Sequence, residues 1–300
     1  MDEMGRTDRE GVKQWYDGFT FGGAGDIYNP WSITKYLESG KLGPYWTNTS
    51  SNALVDSLVR TGDPGVKADF EDLLNGASIW KKIDEQVVFD ELHRKPNALW
   101  SLLLSSGYVK AVQVEDTQGS GRTNLALTNR EVREAFDEIV RGWFDSVPTR
   151  YDGFVRALLD GDLPAMNHYM NDVALATFSS FDTGSRPSTA AEPERFYHGF
   201  VLGLLVELRG EYHVTSNRES GYGRCDVMLE PLKHGLDGII LEFKALDPSA
   251  GENTLKDTVA RAKAQIADKR YAATLESRGI PSAHIRTYGF AFQGKKVLIG

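Results

Sequence analysis

Length, composition and charge limit the classes to which this chain can belong. Its 300 residues are 41% hydrophobic and 25% charged, which is typical of a globular protein. The length is compatible with one large domain and favours two smaller ones. The net charge of −8 argues against a surface coated for nucleic-acid binding. No apolar run could span a bilayer and no signal peptide is visible. The single Cys225 excludes an intrachain disulfide and a cysteine-based zinc site, so we expect a cytoplasmic protein without membrane contact.

The first half of the chain is predicted to be mainly helical. Asn29-Pro30 and Ser39-Gly40 are start and stop signals around one helix, and polar residues from Asn48 onward open another. Further helices are expected at 129–144, 151–159 and 163–178, and short strands at 86–89, 107–112 and 125–127.

The clearest domain boundary is the run 182–193, which is rich in turn-forming residues and poor in apolar ones. It predicts domains at 1–185 and 186–300. The second contains 16 Lys+Arg against 14 Asp+Glu, whereas the first contains 18 against 28. This asymmetry favours the C-terminal domain for any contact with nucleic acid.

The C-terminal domain is predicted to be α/β, with a central sheet covered by helices. The expected elements are a helix at 194–208, strands at 212–216, 224–230 and 238–246, a long helix at about 254–278, and closing strands at 284–292 and 296–299. The fold class of the whole chain is therefore α/β (α+β), with a mainly helical domain followed by this one.

Three charged residues interrupt two of the predicted apolar strands. Because side chains alternate between the faces of a strand, Glu242 and Lys244 share one face, opposite to Leu241 and Phe243. If the two strands pair, Asp226 can join them. Buried charges are costly unless they are paired or bind a metal, so this patch predicts a metal-dependent phosphodiesterase site.

The C-terminal third resembles the PD-(D/E)XK nuclease superfamily, in the branch fused to an AAA-ATPase-like module. The resemblance is carried by Glu194-Arg-Phe-Tyr-His198, Gly223-Arg-Cys-Asp226, Glu242-Phe-Lys244 and Gln265-Ile-Ala-Asp-Lys-Arg-Tyr271. Trp15-Tyr-Asp-Gly-Phe and its surroundings are similar to the end of the ATPase-like module. The chain has no Gly-x-x-x-x-Gly-Lys-Ser/Thr loop for phosphates, so we expect a remnant of that module and no ATP as cofactor.

The resemblance implies Mg²⁺- or Mn²⁺-dependent hydrolysis of phosphodiester bonds, in DNA rather than RNA. It implies that Asp226, Glu242 and the backbone carbonyl of Phe243 hold the metal. Lys244 would assist the attacking water and Glu194 would support the site, with Glu207 as the fallback acid. The supporting or nucleic-acid-binding candidates are Gln265, His198, Arg224, Arg218, Lys263 and Tyr271.

Structural interpretations compete with these roles. The strand charges could form an ion pair on the exposed face of an edge strand, and Glu194 could stabilise a helix N-terminus. His198 could equally well bind phosphate or form a hydrogen bond in the core, and Tyr271 is expected to pack. Arg218, Arg224 and Lys263 could each be ordinary solvated surface residues. An aromatic cluster is expected to be core rather than a base-stacking platform; its members are Trp15, Tyr16, Phe19, Tyr28 and Trp31.

Two other functions stay open at the level of the sequence. One is a catalytically silent regulatory module that binds nucleic acid or protein with the same fold. The other is a protein-interaction or homo-oligomerisation surface in the acidic N-terminal part. Divalent-metal binding separates them from the enzyme, which requires it.

Overall fold

The computed structural model describes residues 8–21, 24–49, 52–62, 64–84, 98–115, 121–144, 148–181, 192–220 and 223–300. The chain divides into two compact units, Met1–Ile139 and Val140–Gly300. The predicted strand at 86–89 and nearly all of the predicted boundary lie outside the described residues. The division into domains at 185/186 therefore stays a prediction.

The first unit combines helices with a hairpin and a small sheet. Its helices are α1 (Arg9–Tyr16), α2 (Pro30–Ser39), α3 (Ala53–Thr61), α4 (Pro64–Leu74), α5 (Ala98–Ser105) and the start of α6 (Arg130–Gly142). Strands β1 (Phe19–Phe21) and β2 (Ala24–Ile27) form an antiparallel hairpin. Strands β3 (Ile79–Lys81), β4 (Val109–Glu115) and β5 (Arg122–Leu127) form an antiparallel sheet in the order β3-β5-β4. The helix expected from Asn48 begins at Ala53, after a short 3₁₀ turn at Thr47–Thr49.

The start and the end of helix α2 are determined by residues at its two termini. The side chain of Asn29 accepts hydrogen bonds from the backbone N–H of Trp31 (3.0 Å) and of Ser32 (3.2 Å), which would otherwise be unpaired at the helix start. Pro30 occupies the first turn, where no N–H is needed. Gly40 ends the helix in the left-handed conformation, with φ +71°, which glycine adopts without steric cost.

The aromatic cluster divides into a core part and a surface part. Trp15, Tyr16 and Phe19 are buried, as predicted. Tyr28 and Trp31 are 37% and 49% exposed, so the expectation of core packing is wrong for these two. The reason is their place at the entry to α2, where Tyr28 precedes the capping residue and Trp31 lies in the first turn.

A buried carboxylate in the first turn of α6 anchors the segment after α2. Glu131 is fully buried, and its Oε2 accepts a hydrogen bond from Ser32 Oγ (2.8 Å). Its Oε1 accepts backbone N–H groups of Tyr45 (2.7 Å), Trp46 (2.5 Å) and Thr47 (3.3 Å). Both oxygens are therefore occupied, and burial raises the pKa of Glu131 even though these hydrogen bonds oppose the rise.

The second unit is built on a five-stranded mixed sheet, which confirms the predicted fold class. Its helices are α7 (Pro148–Asp160), α8 (Leu163–Phe181), α9 (Glu192–Glu207), α10 (Leu255–Asp268) and α11 (Ala272–Ser277). Its strands are β6 (Tyr212–Ser220), β7 (Gly223–Pro231), β8 (Gly238–Ala245), β9 (Ile285–Gln293) and β10 (Lys296–Ile299). The order is β10-β9-β8-β7-β6, and β8 and β9 are parallel while the other pairs are antiparallel. None of the helices in the described ranges combines the length and apolarity needed to cross a membrane.

Helices cover both faces of this sheet. On one face, Ile266 of α10 and Leu275 of α11 pack against Met228 and Ile240. On the other, aromatic rings from α7, α9 and the strands form one contact network: Phe154, Phe200, Phe243 and Phe290. The alternation along β8 therefore sends Ile240 and Glu242 to the α10 side and Phe243 to the α9 side.

The long helix predicted at 254–278 is wrong, since it is two helices. Thr254 opens α10 with a capping box to Asp257, and the helix ends at Asp268. Arg270 then adopts a left-handed conformation with φ +54°, which breaks the helix before α11 starts at Ala272. The spacing of apolar residues continues through the break without a glycine or proline, so periodicity alone indicated one helix.

Two asparagines of α8 bind the outer side of β10. Asn171 donates to the carbonyl of Val297 (2.8 Å) and accepts from its N–H (3.0 Å). Asn167, one turn earlier, makes the same two hydrogen bonds to Ile299, both at 2.8 Å. Helix α8 thus belongs to the compact unit that contains this sheet.

Candidate active site

The pairing of β7 with β8 brings two carboxylates together. Val227 lies opposite Leu241, so the neighbouring Asp226 and Glu242 emerge on the same face. The backbone N–H of Phe243 donates to Asp226 Oδ2 at 2.8 Å. Strand β8 is the middle strand of the sheet and Glu242 is 1% exposed. The alternative of an ion pair on the exposed face of an edge strand is therefore wrong.

The two oxygens of Glu242 have different surroundings. Lys244 Nζ donates to Oε1 at 3.1 Å, and Gln265 Nε2 of α10 donates to the same atom. Oε2 is buried and has no hydrogen-bond partner within the part of the chain that the structure describes. A buried acceptor without a donor is costly, and a cation would satisfy it.

The pKa values of the two carboxylates also favour a bound cation. Burial, followed by repulsion from Asp226, raises the pKa of Glu242 from 4.5 to about 7, against the effect of Lys244. Burial also raises the pKa of Asp226, although the N–H of Phe243 and the charge of Lys244 oppose this. Two carboxylates that resist ionisation side by side are stabilised in their charged form by a metal ion.

A chain of hydrogen bonds fixes the donor to Glu242. Tyr271 is 1% exposed; its hydroxyl donates to the carbonyl of Arg224 (2.6 Å) and accepts from Gln265 Nε2 (3.0 Å). Tyr271 therefore packs, as expected, and also holds Gln265. The left-handed Arg270 immediately precedes Tyr271 at the start of α11. The structure shows Gln265 bound to Glu242 itself.

Tyr197 of α9 contacts the site without having been predicted. Its hydroxyl donates to the backbone carbonyl of Asp226, and its ring centroid lies 4.8 Å from that of Phe243. In the sequence it is one of three aromatic residues on an apolar helix, and nothing in the spacing links it to a strand 29 residues later. The one available signal was its position between Glu194 and His198.

Comparison with known families gives a match for the region that carries this pair. Residues 192–300 match the PD-(D/E)XK nuclease superfamily. The match includes α9 and all five strands of the second sheet, and it confirms the resemblance for the C-terminal region. Comparison with the curated proteins gives no match, and comparison with the solved structures gives none either. The fusion to an AAA-ATPase-like module stays a prediction, because the matched region begins at residue 192.

Several predicted residues of the PD-(D/E)XK region can be placed but not assigned a contact. Glu194 and His198 lie on α9 and Arg218 on β6, but their side chains are outside the described part. Arg224 and Lys263 are exposed, which leaves their predicted phosphate contacts as predictions. Glu207, the fallback acid, ends α9 and forms an ion pair with Arg141 at 3.4 Å.

The residues of the PD-(D/E)XK region suit a hard cation such as Mg²⁺. Among the described residues, no group of three or more His, Cys, Asp or Glu side chains could hold a metal. Mg²⁺ nevertheless requires few protein ligands, typically one or two carboxylates with several waters. Asp226 and Glu242 supply that number, and the buried Glu242 Oε2 is free of other partners in the described chain.

Proposed function

We propose that this protein is a metal-dependent nuclease that hydrolyses phosphodiester bonds in DNA. The observation that carries the proposal is the pair Asp226–Glu242, side by side in the middle of an apolar sheet, with Glu242 buried and its Oε2 lacking a donor among the described residues. The match of residues 192–300 to the PD-(D/E)XK nuclease superfamily supports the same reaction class.

The contacts of the site support a proposed role for each of its residues. Asp226 and Glu242 would hold Mg²⁺ or Mn²⁺, together with the backbone carbonyl of Phe243. A bound cation polarises the phosphate and lowers the pKa of its water. Lys244, part-buried beside Glu242, orients the attacking water and stabilises the negative charge of the transition state.

Three neighbouring residues would keep these groups in position. Gln265 directs its amide at Oε1 of Glu242, so that Oε2 stays available. Tyr271 holds Gln265, and Tyr197 holds the backbone of Asp226. We propose Glu194, on the same helix as Tyr197, as the supporting acid of this site.

The test is cleavage of labelled DNA and RNA, single- and double-stranded, with Mg²⁺, Mn²⁺ or EDTA. Asp226→Asn and Lys244→Ala are expected to lower the rate on DNA by about 100-fold or more, because the first weakens metal binding and the second removes a charge that stabilises the transition state. The matched controls are Glu211→Gln and Lys233→Ala. These two residues form an ion pair at 3.1 Å, the same distance as Glu242–Lys244, but both side chains are exposed. Cleavage that survives in Asp226→Asn would contradict the proposal.

The silent-module alternative is separated by measuring metal binding apart from turnover. In the nuclease, Mn²⁺ raises the melting temperature of the wild type, and this shift is lost in Asp226→Asn. A folded wild type that binds Mn²⁺ and cuts none of the four substrates would favour the regulatory module. A preference for RNA would keep the reaction class and overturn the assignment of DNA.

A further inference from the structure

A cavity of about 380 Å³ lies in the first unit, and its lining includes no residue named in the proposed nuclease site. It is formed where the β1–β2 hairpin, the turn before α2 and strand β4 meet. Its volume falls within the range of pockets that hold small molecules, about 300–1,000 Å³. Nothing in the proposed nuclease chemistry uses it.

Three aromatic side chains line this cavity: Phe19, Tyr28 and Trp46. Phe19 and Trp46 are held edge to face with centroids 5.7 Å apart, and Trp46 also contacts Tyr108 at 5.3 Å. Tyr28, by contrast, is 37% exposed. Rigid aromatic walls favour a flat, aromatic ligand, because stacking needs little further ordering of the side chains.

Lys110 of β4 is the charged residue of the lining among the described residues. It is half-buried, and within the described chain it has neither an ion pair nor a hydrogen bond through its ammonium group. Two of the lining hydroxyls are already in use: Ser106 Oγ donates to the carbonyl of Leu102 (2.6 Å), and Thr128 Oγ1 to that of Gly107 (2.7 Å).

The charge of the lining is opposite to that of its surroundings. Residues 1–139 contain 22 Asp+Glu against 15 Lys+Arg. The lining, as far as the structure describes it, contains Lys110 and no carboxylate. A half-buried ammonium without a counter-ion is satisfied by an anionic ligand.

We propose that this cavity binds a planar aromatic anion of the size of a nucleoside monophosphate. Its base packs against Trp46 and Phe19, with Tyr28 at the open side, and its phosphate binds Lys110. The same chemistry is offered by a free nucleotide and by the terminal nucleotide of a strand. The site is independent of the proposed nuclease activity, since it shares no residue with it.

Binding is measured on the full chain with EDTA present, so that no metal-dependent binding occurs at Asp226 and Glu242. AMP and dTMP are titrated by calorimetry and by tryptophan fluorescence, beside adenosine, 5′-phosphorylated oligonucleotides and indole-3-acetate. The nucleotides are expected to bind at least about 10-fold more tightly than adenosine, because the nucleoside lacks the charge that pairs with Lys110. The oligonucleotide distinguishes a strand end from a free nucleotide as the source.

Variants connect the binding to the cavity. Lys110→Met should remove the difference between AMP and adenosine, and Lys110→Arg should restore it. Lys13→Met, an exposed lysine of α1 in the same unit, should leave binding unchanged. If Lys110→Met unfolds, Trp46→Leu is the second variant and should weaken both AMP and adenosine. No nucleotide binding by the wild type, unchanged AMP affinity in a folded Lys110→Met, or preference for indole-3-acetate would each overturn the proposal.

Discussion

Two buried glutamates, one in each unit, show what distinguishes a structural carboxylate from a candidate catalytic one. Glu131 and Glu242 are 0% and 1% exposed, and burial raises the pKa of both. Glu131 receives donors on both oxygens, from Ser32 and three successive backbone N–H groups. Glu242 receives its donors on Oε1 alone, beside a second carboxylate.

The difference shows that burial by itself does not mark a functional acid. The donors of Glu131 are directed at a single conformation and leave nothing for a ligand, so this residue stabilises the fold. The arrangement around Glu242 is unfavourable for folding, because it concentrates negative charge and leaves an acceptor without a donor in the described chain. Such an arrangement is expected where a ligand completes the site.

The largest expected effect is on the free energy of unfolding. Glu131→Ala should lower it by about 3–5 kcal/mol, because the change leaves several buried donors without an acceptor. Glu242→Ala in EDTA should change it by about 1 kcal/mol or less, since the lost packing is offset by removal of an unfavourable charge. Urea unfolding followed by tryptophan fluorescence and by circular dichroism measures both. Equal losses in the two variants would remove the distinction drawn between the glutamates.

The second effect is the pH dependence of stability in the metal-free protein. The pKa of Glu242 rises from 4.5 to about 7 on folding, so the unfolded chain loses this proton first. Its contribution to stability is therefore present below pH 4.5 and is lost as the pH rises through 7, by about 3 kcal/mol in total. Glu242→Gln cannot ionise and should be more stable than the wild type at pH 8, with the two converging at pH 4. A wild type and a variant with parallel pH profiles would contradict the assigned shift.

The smallest effect tests whether Tyr197 positions Asp226. Tyr197→Phe removes the donor to the Asp226 carbonyl while keeping the ring on Phe243. We expect a loss of about 1 kcal/mol in stability, and roughly a 10-fold fall in kcat if the backbone of Asp226 shifts. Tyr169→Phe on α8 is the control. Since Tyr197 makes no predicted contact with substrate, a change confined to KM would argue against a positioning role.

Part of this site follows from strand periodicity. The alternation along β8 placed Glu242 and Lys244 on one face, and pairing with β7 brought Asp226 to them, as the sequence predicted. The fold class was predictable because several strands of the second sheet, such as β8 and β10, are distinct apolar runs. The resemblance of the C-terminal region rested on short motifs, whose residues are close together in the sequence.

The remaining contacts join residues that are distant in sequence. Gln265 reaches Glu242 across 23 residues, and Glu131 binds backbone groups 84 to 86 residues away. Such pairings depend on how helices pack on sheets, which periodicity does not encode. The break at Arg270 was missed because a non-glycine residue adopts the left-handed conformation there, in a stretch that reads as continuous helix.

The asparagines of α8 also bear on how copies of this chain could associate. Strand edges ordinarily offer a row of unpaired N–H and C=O groups on which a second sheet can add. At β10, Asn167 and Asn171 occupy alternate backbone positions and so replace the neighbouring strand with two side-chain amides. A strand of a second molecule therefore cannot pair with β10 unless α8 first separates from it. A homo-oligomer that extends this five-stranded sheet across two molecules would have to use its opposite edge, at β6.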